Sequence, residues 1–548
     1  MKKIYPLLFL LSTFTALGQS FLPKPDHSPI ENRTGVVLPI VANIPYQGYD
    51  ETQAYIGEGE YEIFLDNVDG VLDLPIIVLD GFDPGDGRDI TALYNSLNFD
   101  GQNLADLLRD EGFDIVILNA PQYTTGGKDI DGGSDYIQRN AFVLAAMIDF
   151  LNAEKVGDEE LVILGPSMGG LIARYALAYM EANSLPHETR LYISFDSPHR
   201  GANIPISLQY LINYLAEDFG DPDAQAIIEF VLNSPAAKEM LIDHLEAHLL
   251  PGSFEQDPTK LLPEGAPDFR DVFQGELDAL GLPQNVRNIS VVNGSGIGTT
   301  TGTPGMQVIN TNLELIPLTT ADIILRFTPP ASTTNTVTSM ETFFIGVPVS
   351  LFEADAESTP ESDGVDASPG GTSTISSALD GGATNPVIID FVNALEQDEY
   401  SFIPTISALA IDQDDWFGVP DPADSPFDNS FIPDTNESHV LVTAENATFV
   451  IDEILAGVLN IPQNTLGSGY ILAQNPVDDY IRLQRVSSQT NSDKIDIAIF
   501  NMAGQQVYRT EITNPSNDIR IPHALSSGIY QMKLEQDGML QDIRLIIR

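Results

Sequence analysis

One serine stands between glycines in a setting that suits nucleophilic chemistry. Gly165-Pro166-Ser167-Met168-Gly169 follows the apolar run Leu161–Leu164 and opens a second apolar run at Met168. Strand, tight turn and helix in that order hold a serine in a strained turn with its hydroxyl facing a cleft. The glycines two before and two after Ser167 leave room for neighbouring backbone. A serine hydroxyl is a weak nucleophile near neutral pH, so the reaction also requires a base, and a carboxylate to hold that base in the right tautomer. The chemistry such a set performs is acyl transfer through a covalent intermediate.

The chain has seven histidines, and the order expected of this arrangement is serine, acid, histidine. His27 and His187 precede the relevant strands, and His523 belongs to the C-terminal tail. His244 and His248 lie four apart on an expected cap helix without the HExxH arrangement of a zinc site, and are read as part of a solvated face. His439 remains, directly before an amphipathic run of Phe449, Ile451, Ile454, Leu455 and Val458. It is the expected base. Asp196, at the end of the apolar run Leu191–Phe195, is the simplest acid; Asp398, Glu399, Asp412, Asp414 and Asp415 stay open as alternatives. The backbone N–H groups of Met168 and Phe82 are the expected oxyanion donors, Phe82 because it follows the permissive Gly81 in the loop Leu79–Gly87. Asp80 and Asp83 in that loop read as turn-fixing residues. The acidic turns Asp83–Asp89 and Asp129–Asp135 offer hard oxygen ligands to calcium, but neither has EF-hand spacing. No cofactor is expected.

The elements that must position these residues alternate strand and helix. Pro75–Asp80, Asp114–Asn119, Leu161–Gly165, Leu191–Phe195 and Asn288–Asn293 are short, apolar and bounded by turn residues. Tyr136–Lys155 and Met168–Met180 carry apolar residues at helical spacing. This predicts an α/β fold with a mostly parallel sheet covered on both faces. This α/β domain is expected over 70–465, preceded by an N-terminal extension at 19–69. Two insertions interrupt it. Residues 204–285, with helices at Ile206–Ala216 and Ala224–Leu250, read as a helical cap; 296–392, rich in Ser, Thr and Gly, reads as an irregular β excursion.

Composition bounds the partners. Of 548 residues, 79 are Asp or Glu against 25 Lys or Arg, a net charge of −54, so a nucleic-acid groove or an anionic-membrane patch is excluded. With 43% apolar residues the chain can bury a large core, and the absence of cysteine removes thiolate nucleophiles and disulfides. Lys2 and Lys3, the apolar run from Leu7 to Phe14, and small residues to Gly18 predict a signal peptide over 1–18 and hence export. Residues 470–548 carry eight Lys+Arg against nine Asp+Glu. Nearly all the net charge therefore lies upstream, and a boundary falls near Gly467–Gly469, with a small β-sandwich over 466–548.

Two resemblances accompany these readings. The tail, through Asn475–Leu483, Ile497–Tyr508, Leu525–Leu534 and a basic end at Arg548, resembles the type A C-terminal sorting domain of the type IX secretion system of Bacteroidetes. That resemblance implies contact with the secretion machinery and passage across the outer membrane, to be released or held at the cell surface. The central region, through Leu161–Leu177, Phe195–Pro205, Ser401–Leu409 and Ser438–Leu455, resembles the lipase-like α/β-hydrolases, including the group related to lecithin acyltransferases. It departs from them twice: Asp80-Gly81 stands where many carry His-Gly, and Tyr400-Ser401 stands where relatives place an acidic turn. His199 matches a loop common in these enzymes and is expected to be structural. Together the residues and the resemblance point to a secreted esterase or lipase acting on apolar acyl esters. A non-catalytic surface-binding protein on the same scaffold, or an acyltransferase or amidase, is the alternative.

Overall fold

The apolar runs assemble into one eight-stranded sheet. The computed structural model describes residues 35–379, 386–458 and most of 470–547. In chain order the strands are β1 (Leu38–Val41), β2 (Glu58–Phe64), β3 (Pro75–Leu79), β4 (Asp114–Asn119), β5 (Leu161–Pro166), β6 (Thr189–Phe195), β7 (Arg287–Val291) and β8 (Asn429–Phe431). In space they lie β1-β2-β4-β3-β5-β6-β7-β8. β2 runs antiparallel to both its neighbours, and every other pair is parallel. β3 and β4 are buried at every position, as strands covered on both faces must be. The fold is that of an α/β hydrolase.

Two helices cross between the central strands: α1 (Ile137–Glu154) after β4 and α2 (Met168–Ala182) after β5. Phe142 of α1 meets Tyr175 and Tyr179 of α2 edge-on, with ring centroids 6.3 and 4.8 Å apart, and both helices share the main core with β3 to β5. The helices α3 (Ile206–Glu217) and α4 (Arg270–Leu280) follow β6, and α5 (Ala444–Val458) follows His439.

Three sequence expectations change. The segment read as an N-terminal extension supplies β1 and β2, so the sheet begins at Leu38 rather than near residue 70. β2 is an alternating strand whose outward face is Glu58, Glu60 and Glu62, and those charges obscured its inward half. The expected helix Ala224–Leu250 is broken into three short stretches, because Ser234-Pro235 and the extended Leu241 interrupt it. The excursion at 296–392 is regular: Gln307–Ile316, Thr319–Arg326, Thr334–Phe344 and Val347–Glu357 pair antiparallel, each with the next. Helix α3 closes one face of this meander, with Tyr214 stacked on Phe352 at 4.4 Å. Its C-terminal part is no excursion at all. Gly370–Thr374 pairs with Glu399–Pro404 beside the main sheet.

The chain divides near Leu455. The C-terminal unit contains a three-stranded and a four-stranded antiparallel sheet, with Ile481, Leu483, Ile497, Ile499, Met532, Leu534 and Leu545 in one core. The expected signal peptide lies outside the described residues. Among the described residues no helix is long and apolar enough to cross a membrane.

Candidate active site

Ser167 sits between β5 and α2 with φ 53° and ψ −127°, a conformation that a non-glycine residue adopts only when its surroundings impose it. They do so here by crowding. A Cβ on Gly165 would lie 2.5 Å from the Gly169 carbonyl carbon, one on Gly169 2.7 Å from the Asp80 oxygen, and one on Gly170 2.0 Å from the Ser197 hydroxyl. The backbone N–H of Ser167 donates to the carbonyl of Phe195 at 2.8 Å, which ties the turn to the end of β6.

The structure brings Ser167, His439 and Asp196 together. Ser167 Oγ lies 2.9 Å from His439 Nε2, and His439 Nδ1 lies 2.7 Å from Asp196 Oδ2. Asp196 is fully buried directly after β6, also at positive φ, 47°. Its other oxygen, Oδ1, accepts the backbone N–H of Asn293 at 3.1 Å. His439 is followed by Val440 at φ 52°, an outlier for a β-branched residue. Strained backbone thus occurs at two of the three residues and directly beside the third, all at loops leaving one end of the sheet.

The loop carrying His439 is held from three sides. Its backbone N–H donates to the Thr372 carbonyl at 2.8 Å, and the Thr372 N–H donates to the Glu437 carbonyl at 2.9 Å. Asn293 Nδ2 donates to Glu437 Oε2 at 2.8 Å and to the Leu441 carbonyl at 3.1 Å. Burial raises the pKa of Glu437, while its bond from Asn293 works the other way. The Phe402 ring meets the imidazole edge-on at 4.9 Å.

Gly371 is a site residue that sequence reasoning missed. A Cβ there would lie 2.0 Å from Asp196 Oδ2, so only glycine lets this strand pass the carboxylate. Its place inside a Ser/Thr/Gly-rich stretch gave no cue.

Met168 begins α2, where the first backbone N–H groups have no partner within the helix. Gly81 packs against the serine, since a Cβ on it would lie 3.2 Å from Ser167 Cβ. Phe82 follows, and its carbonyl accepts from Arg88 Nη2 at 2.9 Å. Asp80 has a larger part than turn fixing. Its Oδ1 accepts the Gly81 N–H at 2.7 Å and meets Arg88 Nη2 at 2.9 Å. Burial pushes its pKa up to about 7, only partly offset by Arg88.

The other acid candidates lie elsewhere. Asp398 accepts from the backbone and hydroxyl of Ser376, Asp412 pairs with Arg200 at the surface, and Asp415 caps Phe417. Glu399 begins a strand as an exposed residue; Asp414 is exposed. Three other histidines are engaged away from Ser167. His199 is buried, 2.7 Å from the Ser194 hydroxyl, and burial pushes its pKa well below the usual value. His244 and His248 are buried rather than solvated: His244 caps a short helical turn, and His248 pairs with Asp243. Burial works to lower the His248 pKa, but Asp243 outweighs it and the net is a rise to about 9.

The two acidic turns bind each other and not a cluster of ligands. Asp131 accepts the Gly85 N–H at 2.7 Å, Asp83 accepts that of Arg88 at 2.8 Å, and Asp135 pairs with Arg139 at 2.7 Å. Among the described residues no three His, Asp or Glu converge as metal ligands would.

Comparison with known proteins bears on the fold and on the C-terminal tail. Residues 75–188 match the family model of the alpha/beta hydrolase fold, and 475–548 match that of the secretion system C-terminal sorting domain. No curated protein matches. Among solved structures, an α/β serine hydrolase without lid from Xanthomonas campestris is 17% identical, with 29% of this chain and 62% of that chain covered and a TM-score of 0.20. Est1E from Butyrivibrio proteoclasticus is 11% identical over 43% of this chain and 74% of its own, TM-score 0.22. The rice cell wall degrading esterase LipA from Xanthomonas oryzae, in a ligand-bound form, is 13% identical over 47% and 75%, TM-score 0.27. The chain thus spans less than two thirds of the first of these.

Proposed function

We propose that this chain, which carries an alpha/beta hydrolase fold domain and a secretion system C-terminal sorting domain, is an exported serine hydrolase that cleaves carboxylic esters of apolar acyl groups. The observation that carries the reading is the continuous hydrogen-bonded line from Ser167 Oγ through His439 to Asp196. Ser167 attacks the acyl carbon as its proton passes to His439 Nε2. Asp196, fixed by the Asn293 N–H, holds Nδ1 protonated so that Nε2 is free to accept. The N–H groups of Met168 and Phe82 receive the charge that develops on the carbonyl oxygen. When the tetrahedral intermediate collapses, His439 returns the proton to the leaving alcohol; water then attacks the acyl-enzyme by the same route in reverse. The reading of the helical insertion 204–285 as a cap, whose α3 residues Leu208, Leu211 and Ile212 are buried, supports apolar esters as substrates. The sorting domain addresses the protein to the secretion machinery, and chemistry belongs upstream of it.

A panel of p-nitrophenyl esters of rising chain length tests this. Hydrolysis that rises with chain length and falls by at least about a thousandfold in Ser167→Ala is expected. Hydrolysis that persists in Ser167→Ala, or none by the parent protein, overturns it.

A further inference from the structure

The meander inserted between β7 and β8 ends in an apolar tip whose turns contradict ordinary turn chemistry. Ile316 and Leu318, at the first hairpin, are 63% and 62% exposed; Ile345 and Val347, at the second, are 64% and 62% exposed. The two turns lie side by side, joined by the Ile345 N–H donating to the Leu318 carbonyl at 2.9 Å. Leu318 has φ 72° after Pro317, and Ile345 has φ 52° before Gly346 at 73°. Those positions favour Asn, Asp or Gly, and a branched aliphatic residue there costs stability. Two adjacent turns therefore both sacrifice stability to hold large aliphatic side chains in water. Strain of this kind persists where function requires it.

We infer that these paired hairpin tips dock onto a neutral or zwitterionic lipid surface. This rests on the ester-hydrolase reading for its purpose and on the tip alone for its evidence. In a chain of net charge −54, Ile316–Ala321 and Thr342–Phe352 contain no charged residue. Val349 and Leu351, both exposed, extend the apolar surface along the outer strand. Acids then close it off: Glu341, paired in register between Asp322 and Leu351, and Glu353 beside Ser339. Nearer the tip stands one exposed acid, Glu314, opposite Thr320 and about 7 Å from the turn at strand rise, and the row of Asp322 and Glu341 lies four residues from the turn, about 14 Å. The apolar end is thus deep enough to enter the headgroup region with Glu314 at its rim, while Asp322, Glu341 and Glu353 stay in water. An anionic surface would repel the collar and the chain. Strand pairing with a second copy is opposed by Pro348, which removes a donor from the outer strand just where its apolar residues are exposed.

The test uses the full chain with Ser167→Ala, so that binding is read without turnover. Flotation with phosphatidylcholine vesicles is expected, and weaker flotation with phosphatidylglycerol vesicles at low salt. Leu318→Asn with Ile345→Asn gives each turn a residue it favours, so the melting temperature should hold or rise while the partition onto phosphatidylcholine falls at least tenfold. With Ser167 intact, the same pair of changes should leave hydrolysis of a short, water-soluble ester unchanged. Parent protein that does not float, flotation unaffected by the two changes, stronger binding to the anionic vesicles, or a dimer that the changes disperse would each overturn the inference. Vesicle binding that follows the tip in a protein inactive on every ester would retain the surface and reject the hydrolase reading.

Discussion

Asp196→Asn should cripple turnover while leaving the fold intact, and the structure shows which way the amide must turn. Asp196 accepts two hydrogen bonds, one from His439 at Oδ2 and one from the Asn293 backbone N–H at Oδ1. The backbone donor does not change, so the asparagine carbonyl oxygen must stay with it. The amide NH2 is then aimed at His439 Nδ1, 2.7 Å away in the native pair. The imidazole answers by accepting at Nδ1 and carrying its proton on Nε2, where it faces Ser167 and has no lone pair for the serine proton. By analogy with the same change in other serine hydrolases, kcat should fall by about 10³ to 10⁴, roughly 4 to 5.5 kcal/mol of transition-state stabilisation. KM should change little, since the carboxylate is buried and touches no substrate. The assay is steady-state hydrolysis of a soluble ester, with circular dichroism to verify folding. Asp412→Asn and Glu399→Gln should stay within about twofold, as neither is near the imidazole. A loss of only tenfold in Asp196→Asn, or a crippling loss in either control, would refute the reasoning.

Three further outcomes follow from the same geometry. Gly371→Ala should lower activity by at least tenfold and stability by about 1–3 kcal/mol, because the new methyl displaces the Asp196 carboxylate; kinetics and denaturant unfolding would show it, and native values for both would contradict the close approach. Asp80 is held near pKa 7 in the folded chain, above its unfolded value of about 3.9, so the native state binds the extra proton and Asp80 lowers stability as pH rises from about 4 to 7. Asp80→Asn should therefore gain stability relative to the parent across that window, at up to about 1.4 kcal/mol per pH unit, and parallel unfolding curves at pH 5 and pH 8 would contradict it. Deleting 470–548 should abolish extracellular esterase activity in a host with the matching secretion system while leaving active enzyme in the periplasm; undiminished extracellular activity would remove the sorting role.

The sequence made Ser167 readable because its setting is local: a five-residue motif between two apolar runs declares strand, turn and helix within a single stretch. His439 emerged by elimination among seven histidines, and Asp196 from its place at a strand end. What stayed hidden was non-local. Gly371 matters through a carboxylate 175 positions upstream, and Asn293 through a backbone N–H that no pattern marks. β2 was masked by glutamates on its outer face. The meander was masked by Thr, Ser and Pro, although Thr is at home in strands. His244 and His248 looked solvated because helical spacing was assumed across a segment that Ser234-Pro235 breaks.

The central claim is that Ser167 is a nucleophile activated by His439, and covalent capture tests it most directly. Folded protein treated with a fluorophosphonate should take up one label, placed on Ser167 by mass spectrometry of the peptide that contains it. The label should be absent in Ser167→Ala, much slower to form in His439→Ala and absent from denatured protein. Labelling at another residue, or none in a folded parent protein, would contradict the account.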